Sequence, residues 1–265
     1  MTFSHPLRIS LAQMDIHRGV PQENLQRAAA LSAEAARRGS HLLLLPELWG
    51  SGYSLKRAAE LAAPLGEGLF AEMSALARRH GMALGGSLLE ADGESVYNTF
   101  ALYGADGSLL AAYRKIHRFG PMGENRYLEA GAHPVTAKTP WGLTGLAVCY
   151  DLRFPELFRG YALAGVSLVL IVAEWPVPRI AHWRTLLQAR AIENQYFVAA
   201  VNRVGEESGQ TFGGHSGVLT PWGEYLLEAG TAPALLTVDV PLDEVPRARQ
   251  SFPTLADRRP EAYRW

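Results

Sequence analysis

The sequence predicts an α/β fold with mixed sheets, and three observations predict it. Helix-period and strand-period segments alternate along most of the chain, the rhythm of helices laid on sheets. A helix followed by a short buried strand occurs twice, over residues 24–45 and 155–173, and a glutamate stands at the end of each strand. Hairpin signals interrupt that rhythm, so antiparallel strands must join the parallel ones.

Taken in order, Leu7 to Gln13 alternates well enough for a first strand. Asn24 to Arg38 is alanine-rich, with Leu25, Ala28, Ala29, Leu31 and Ala35 on one helical stripe, and Gly39 stops it. His41 to Leu45 is a buried strand that runs into Pro46-Glu47. Gly66 to His80 predicts a helix closed by Gly81, followed by a strand from Met82 to Leu89. Its Gly85-Gly86 pair permits close backbone approach. Val96 to Tyr103 and Leu109 to Lys115 pair as a hairpin across Ala105-Asp106-Gly107. Phe119 to His133 is polar, without a period, and reads as a long loop of the kind that carries function.

The apolar run Leu143 to Val148 predicts a central strand, and Pro155 opens a helix that Gly165 closes. Ser167 to Ala173 is a second buried strand, ending at Glu174-Trp175-Pro176. The two helix–strand units look like halves of one pseudo-symmetric fold. Ala181 to Gln195 predicts a helix and Tyr196 to Val201 a strand. Gly205 to Gly214 reads as a loop before His215 to Thr220, and Ala234 to Val240 as the last strand. No linker or composition shift divides the 265 residues, which predicts one domain over 1–265.

Composition narrows the function. The chain is 48% apolar and 19% charged, enough for a sizeable core, and its net charge of −1 gives no electrostatic case for nucleic acid. No stretch approaches the ~20 apolar residues of a membrane span. The start of the sequence lacks the apolar run of a signal peptide. A single cysteine allows no internal disulfide and fits a reducing compartment. The expectation is a cytoplasmic protein. Eight histidines offer no ligand spacing such as His-Glu-x-x-His, and no Gly-x-Gly-x-x-Gly fingerprint occurs, so neither a metal nor another cofactor is implied.

That one cysteine, Cys149, lies where the apolar run stops and the polar turn Asp151 to Arg153 begins. A thiol at a strand-to-helix corner sits near a partial positive end, which predicts a lowered pKa and free N–H groups to hold an oxyanion. The competing reading is a small buried hydrophobe. Acyl transfer by a thiol also needs a base and a partner for the oxyanion. Glu47, in Leu-Pro-Glu, and Lys115, in Tyr-Arg-Lys-Ile-His, each leave another strand. Their bland alternative is a surface ion pair.

Glu47, Lys115 and Cys149, in that chain order and each at a strand end, resemble the carbon–nitrogen hydrolase (nitrilase) superfamily. The resemblance covers Leu7 to Tyr263. It implies a four-layer αββα sandwich with the catalytic residues at one end of two mixed sheets. It implies Glu47 as general base, Lys115 as the cation at the oxyanion, Cys149 as nucleophile, and Glu124 as the second glutamate beside the lysine. From pattern alone Glu124 is a solvated loop charge. The backbone N–H of Tyr150 is expected to join Lys115 at the oxyanion.

Tyr-Asp follows the cysteine where nitrilases proper have Trp-Glu, which makes nitrile hydrolysis less favoured. His182-Trp183, the segment from Leu186 to Gln195, Gly214-His215-Ser216 and Pro221-Trp222-Gly223-Glu224 are similar to amidase branches, and most of all to the omega-amidases. Those enzymes act on short dicarboxylate monoamides such as 2-oxoglutaramate. Glu174-Trp175-Pro176 replaces the small-plus-aromatic pair of many omega-amidases, and that loop is expected to line the acyl pocket. Trp175 is expected at the pocket, with Tyr53 and Phe119 as further candidates. Arg153 either meets a substrate carboxylate or pairs with an acid such as Glu156.

The alternatives are an aliphatic amidase, a carbamoyl-amine hydrolase, or a binding protein on the same scaffold without turnover. The resemblance further implies a homodimer or higher homo-oligomer. The expected contacts are Phe154 to Phe158, Trp183, Tyr263 and Trp265.

Overall fold

A computed structural model describes residues 6–262. Strand β1 (Leu7–Gln13) leads to helix α1 (Pro21–Arg37) and strand β2 (Leu42–Leu44). Then follow α2 (Ala58–Leu61), α3 (Gly68–His80), β3 (Ala83–Asp92), β4 (Ser95–Tyr103) and β5 (Leu109–Arg114). A one-turn helix α4 (Glu124–Tyr127) precedes β6 (Thr136–Thr139) and β7 (Gly142–Val148). Helix α5 (Pro155–Leu163), β8 (Leu168–Ala173), α6 (Ile180–Asn194) and β9 (Phe197–Asn202) continue the chain. The rest comprises β10 (Val204–Glu207), β11 (Gln210–Gly213), β12 (Gly217–Leu219), β13 (Tyr225–Glu228), β14 (Ala234–Val240) and α7 (Glu244–Ser251).

Two six-stranded mixed sheets form, ordered β14-β1-β2-β3-β4-β5 and β13-β12-β9-β8-β7-β6. The first runs antiparallel, parallel, parallel, antiparallel, antiparallel from β14. The second, read from β6, repeats that sequence of pairings. The pseudo-symmetry suggested by the two helix–strand units is therefore present: β2 corresponds to β8, and the turn carrying Glu47 to the turn carrying Glu174.

The period-2 pleat builds the layers. Leu42 and Leu44 face the shared core between the sheets, with Ile9, Leu11, Phe100, Leu146, Val148 and Leu170. Leu43 and Leu45 point the other way, into the layer under α1 and α3, with Ala28, Ala35, Phe70 and Met73. Helices α5 and α6 cover the second sheet. Trp183, Leu187 and Ala191 bury their stripe on it, along with Phe158 and Tyr161. This is the four-layer arrangement expected.

Four readings change. The segment read as a loop from Gly205 to Gly214 is mostly the hairpin β10–β11. Ser208 and Gly209 both take positive φ at its tip, which suits a two-residue hairpin turn. Phe119 to His133 contains α4. Strands β6 and β13 arise where no strand was expected; at four residues each they are too short to show a period. Phe158 and Trp183, expected at a dimer contact, are fully buried within the chain. The other two aromatics of that expectation, Tyr263 and Trp265, lie outside the described residues. Among the described residues no helix is long and apolar enough to cross a membrane.

Candidate active site

Glu47, Lys115, Glu124 and Cys149 arrive from four separate segments at one end of the two sheets. Glu47 leaves β2 and Lys115 leaves β5; both are essentially unexposed, as is Glu124. The Lys115 ammonium donates to Glu47 Oε1 at 2.8 Å and to Glu124 Oε1 at 2.7 Å. Glu47 Oε1 also accepts from Asn98 Nδ2 at 2.8 Å, and Glu47 Oε2 accepts the Glu174 backbone N–H at 2.9 Å. Glu124 Oε2 accepts the N–H of Phe119. Glu124 is thus not a solvated loop charge: it begins α4 and closes the loop onto the lysine.

Burial alone would lower the Lys115 pKa, but Glu124 and Glu47 beside it hold the ammonium well above its ordinary value. Lys115 is a fixed cation with two carboxylates. A buried charge is retained when it is paired in this way.

Cys149 directly follows β7 with φ of +47°, a left-handed conformation that costs a non-glycine residue energy. Leu48, just after Glu47, is held at φ +42°. Both strained turns sit where strand ends meet the site. The thiol is buried, and its Sγ lies 3.9 Å from the Glu174 carbonyl oxygen. The expected lowering of its pKa is overturned. Burial pushes the thiol well up, and the Glu47 carboxylate adds to this against the opposing pull of Lys115. The helix invoked for the lowering, α5, starts only at Pro155; a 3₁₀ turn over Cys149–Arg153 intervenes. The resting nucleophile is a thiol with a base beside it rather than a standing thiolate.

Asp151, fully buried, ties that turn to the segment carrying Lys115. Its carboxylate accepts from Tyr113 Oη at 2.8 Å, from the His117 N–H at 3.0 Å and from the Val148 N–H at 2.9 Å. Tyr53, expected at the substrate pocket, is instead part of the carboxylate network. Its hydroxyl lies 3.0 Å from Glu47 Oε1 and 3.0 Å from Glu124 Oε1. Burial and those two carboxylates hold it protonated, with its pKa well above the usual tyrosine range.

The cavity at Cys149 holds about 240 Å³ of empty space, open solvent included, and is lined by Phe119, Tyr150, Arg153, Trp175, Glu174 and Arg179. Phe119 and Tyr150 contact each other with ring centroids 4.9 Å apart. The Arg153 guanidinium lies 4.7 Å from the Trp175 ring centroid and 3.4 Å from His182 Nδ1. No ion pair joins Arg153 to Glu156. Burial lowers the Arg153 pKa, and neighbouring Arg179 lowers it further. Among the described residues no group of three or more histidine, cysteine or acidic side chains is placed to hold a metal ion.

The sequence matches the family described as carbon-nitrogen hydrolase over residues 8–250. The chain belongs to the carbon–nitrogen hydrolase family. A 2-oxoglutaramate amidase of Bacillus subtilis (strain 168) is 38% identical over 256 residues, 96% of this chain and 98% of that one. The human omega-amidase NIT2 is 35% identical over 266 residues, 97% of this chain and 96% of that one. An amidase from Nesterenkonia sp. AN1, solved with acrylamide added at its active-site cysteine, superimposes with a TM-score of 0.86 at 34% identity. That alignment covers 97% of this chain and 98% of the other. This carbon–nitrogen hydrolase is accordingly an amidase, acting on carbon–nitrogen bonds other than peptide bonds.

Sequence reasoning missed Asn98 and Asp151 as parts of this carbon–nitrogen hydrolase site. Glu174 was expected only as part of the loop lining the pocket, although it repeats the position of Glu47 in the second helix–strand unit.

Proposed function

We propose that this amidase cleaves short dicarboxylate monoamides, of which 2-oxoglutaramate is the type, through a thioester on Cys149. One observation carries the substrate class. Arg153 and Arg179 line the cavity of Cys149, and among the described residues neither has a carboxylate partner. A substrate whose far end is a carboxylate supplies the missing acceptor, and a guanidinium can hold it with two parallel hydrogen bonds. The names of the Bacillus subtilis and human relatives support the same class.

In this reading Glu47 takes the thiol proton as Cys149 attacks the amide carbon. The Lys115 ammonium and the Tyr150 N–H hold the tetrahedral oxyanion. Glu47 returns the proton to the leaving nitrogen, and ammonia departs from an acyl thioester. Water, activated by Glu47, then hydrolyses the thioester to the free acid and restores the thiol. Glu124 and Tyr53 keep Lys115 and Glu47 in register.

Ammonia release from 2-oxoglutaramate, glutaramate and a neutral amide of equal length tests the proposal, with the mass of a trapped thioester identifying the acyl group. Carbon dioxide released alongside ammonia from a carbamoyl substrate would move the assignment to carbamoyl-amine hydrolysis. Arg153→Met should lower kcat/KM for the anionic amides by about 10- to 100-fold, the worth of a hydrogen bond to a charged group. It should change the neutral amide much less. Equal losses on both substrates would make Arg153 structural and remove the carboxylate reading.

We also propose a homodimer, the commonest closed symmetry. Leu163 on α5, Ile192 on α6 and Trp222 leave large apolar surface exposed, and they replace the buried Phe158 and Trp183 as contact candidates. Light scattering at micromolar concentration should give twice the chain mass, and Ile192→Glu should shift it toward the monomer. A fully active monomer would refute this. We place the enzyme in the cytoplasm, where its lone thiol stays reduced.

A further inference from the structure

Glu174 is fully buried and lines the cavity beside Cys149, yet the hydrolysis steps assign its carboxyl no part. Its backbone does two things at once: the N–H donates to Glu47 Oε2 at 2.9 Å, and the carbonyl oxygen lies 3.9 Å from Cys149 Sγ. It is the pseudo-symmetric counterpart of Glu47, at the end of β8 as Glu47 is at the end of β2. The first glutamate meets Lys115; the second meets Arg203, whose Nη1 donates to Glu174 Oε2 at 2.7 Å. Among the described residues Glu174 Oε1 has no hydrogen-bond partner.

Arg203 cannot serve Glu174 alone. Its guanidinium also donates to Glu207 at 2.8 Å, to Asp15 at 3.2 Å and to the Ile16 carbonyl at 2.7 Å. One cation therefore faces three carboxylates, relieved among the described residues by Arg18, 3.4 Å from Glu207. The remaining groups around Glu174 are Glu47 and Tyr53 from the turn after β2 and Cys149 from the turn after β7. Lys115 stands behind Glu47, and Arg153 and Arg179 line the same cavity.

We propose that Glu174 is a positioning residue that sets the charge environment of Glu47 and Cys149, and that loss of its proton shuts the site down at alkaline pH. Burial first, then Glu207 and Glu47, push its carboxyl up to about 8 despite Arg203. Arg203 occupies Oε2, so the proton resides on the unpartnered Oε1, where an anionic oxygen without a donor would be far costlier. Below pH 8 Glu174 is neutral and its N–H holds Glu47 without repulsion. Above pH 8 a second negative charge appears behind Glu47. It disfavours both the thiolate and the tetrahedral oxyanion, because each adds negative charge to the same enclosed space.

The inference deepens the amidase reading and rests on its Glu47–Cys149 pair, so the test has an arm that needs no amide. The rate of Cys149 alkylation by iodoacetamide and kcat/KM for glutaramate are measured from about pH 6.5 to 9.5 in wild type and Glu174→Gln. The wild-type rate divided by the variant rate should fall by about threefold to tenfold across that range in both assays. A ratio independent of pH in the alkylation assay overturns the proposal. A falling alkylation ratio with no glutaramate cleavage upholds Glu174 and removes the substrate reading instead. Should Glu174→Gln fail to fold, infrared difference spectra of the wild type decide. A carboxylic acid band present near pH 7 and lost by about pH 9.5 supports the proposal, and its absence at both overturns it.

Discussion

Cys149→Ala abolishes amide hydrolysis and leaves the fold intact. The expected fall in kcat is on the order of 10⁵–10⁶-fold, the scale for removing the nucleophile of a unit that acts together. The stability cost is small for two reasons. The thiol's approach to the Glu174 carbonyl is long, at 3.9 Å, and alanine carries the same Cβ at φ +47° that cysteine does. No new backbone strain is added, and the lost packing is one sulfur atom, under about 1.5 kcal/mol. Ammonia release and thermal unfolding of the same preparation check both halves. Turnover persisting after contamination is excluded would place the nucleophile elsewhere.

Lys115→Met has the largest expected effect on the fold. The ammonium sits within 2.8 Å of Glu47 and 2.7 Å of Glu124, all three buried. Removing the cation leaves two carboxylates that share the Tyr53 hydroxyl and have no counter-charge. Breaking such a buried pair costs about 3–5 kcal/mol. The sign of the pH dependence follows. The folded variant takes up protons that the unfolded chain does not, so its stability rises as pH falls through the mildly acidic range. Urea titrations at several pH values measure this, and activity is lost at all of them. A variant as stable as wild type, with no pH dependence of the difference, would show that the pairing contributes nothing.

Glu47, Lys115 and Cys149 were legible because each follows a buried apolar run, and a polar side chain at that corner stands out. The helix–strand units were legible because α1 carries its own apolar stripe and β2 lies in an unbroken apolar run. The partners were not. Tyr53 reaches Glu124 across 71 positions and Glu174 reaches Glu47 across 127. Nothing local in Gly-Tyr-Ser or Glu-Trp-Pro announces such contacts. The thiol's charge state misread the balance of two effects. Proximity to a cation and a turn was visible in the sequence, whereas the depth of burial that outweighs it depends on both sheets at once. Ser208-Gly209 did announce a hairpin, but the polar residues around it masked the strands.

The pairing of β14 with β1 has a consequence for how the enzyme is made. The register runs from Leu7 opposite Val240 to Gln13 opposite Ala234, so the strand that seals one edge of the first sheet is synthesised more than 220 residues after its partner. While the chain is on the ribosome, β1 presents an unsatisfied row of N–H and C=O groups, a template for the wrong neighbour. Closing a loop of more than 220 residues costs entropy before any contact compensates it, which slows this step and lengthens the exposure. Gln13, at the end of β1, also accepts from Ser216 and donates to the Gly230 and Ala232 carbonyls. The newborn amidase therefore matures only when β14 docks on β1, and truncation before residue 234 should yield aggregate rather than a weaker enzyme.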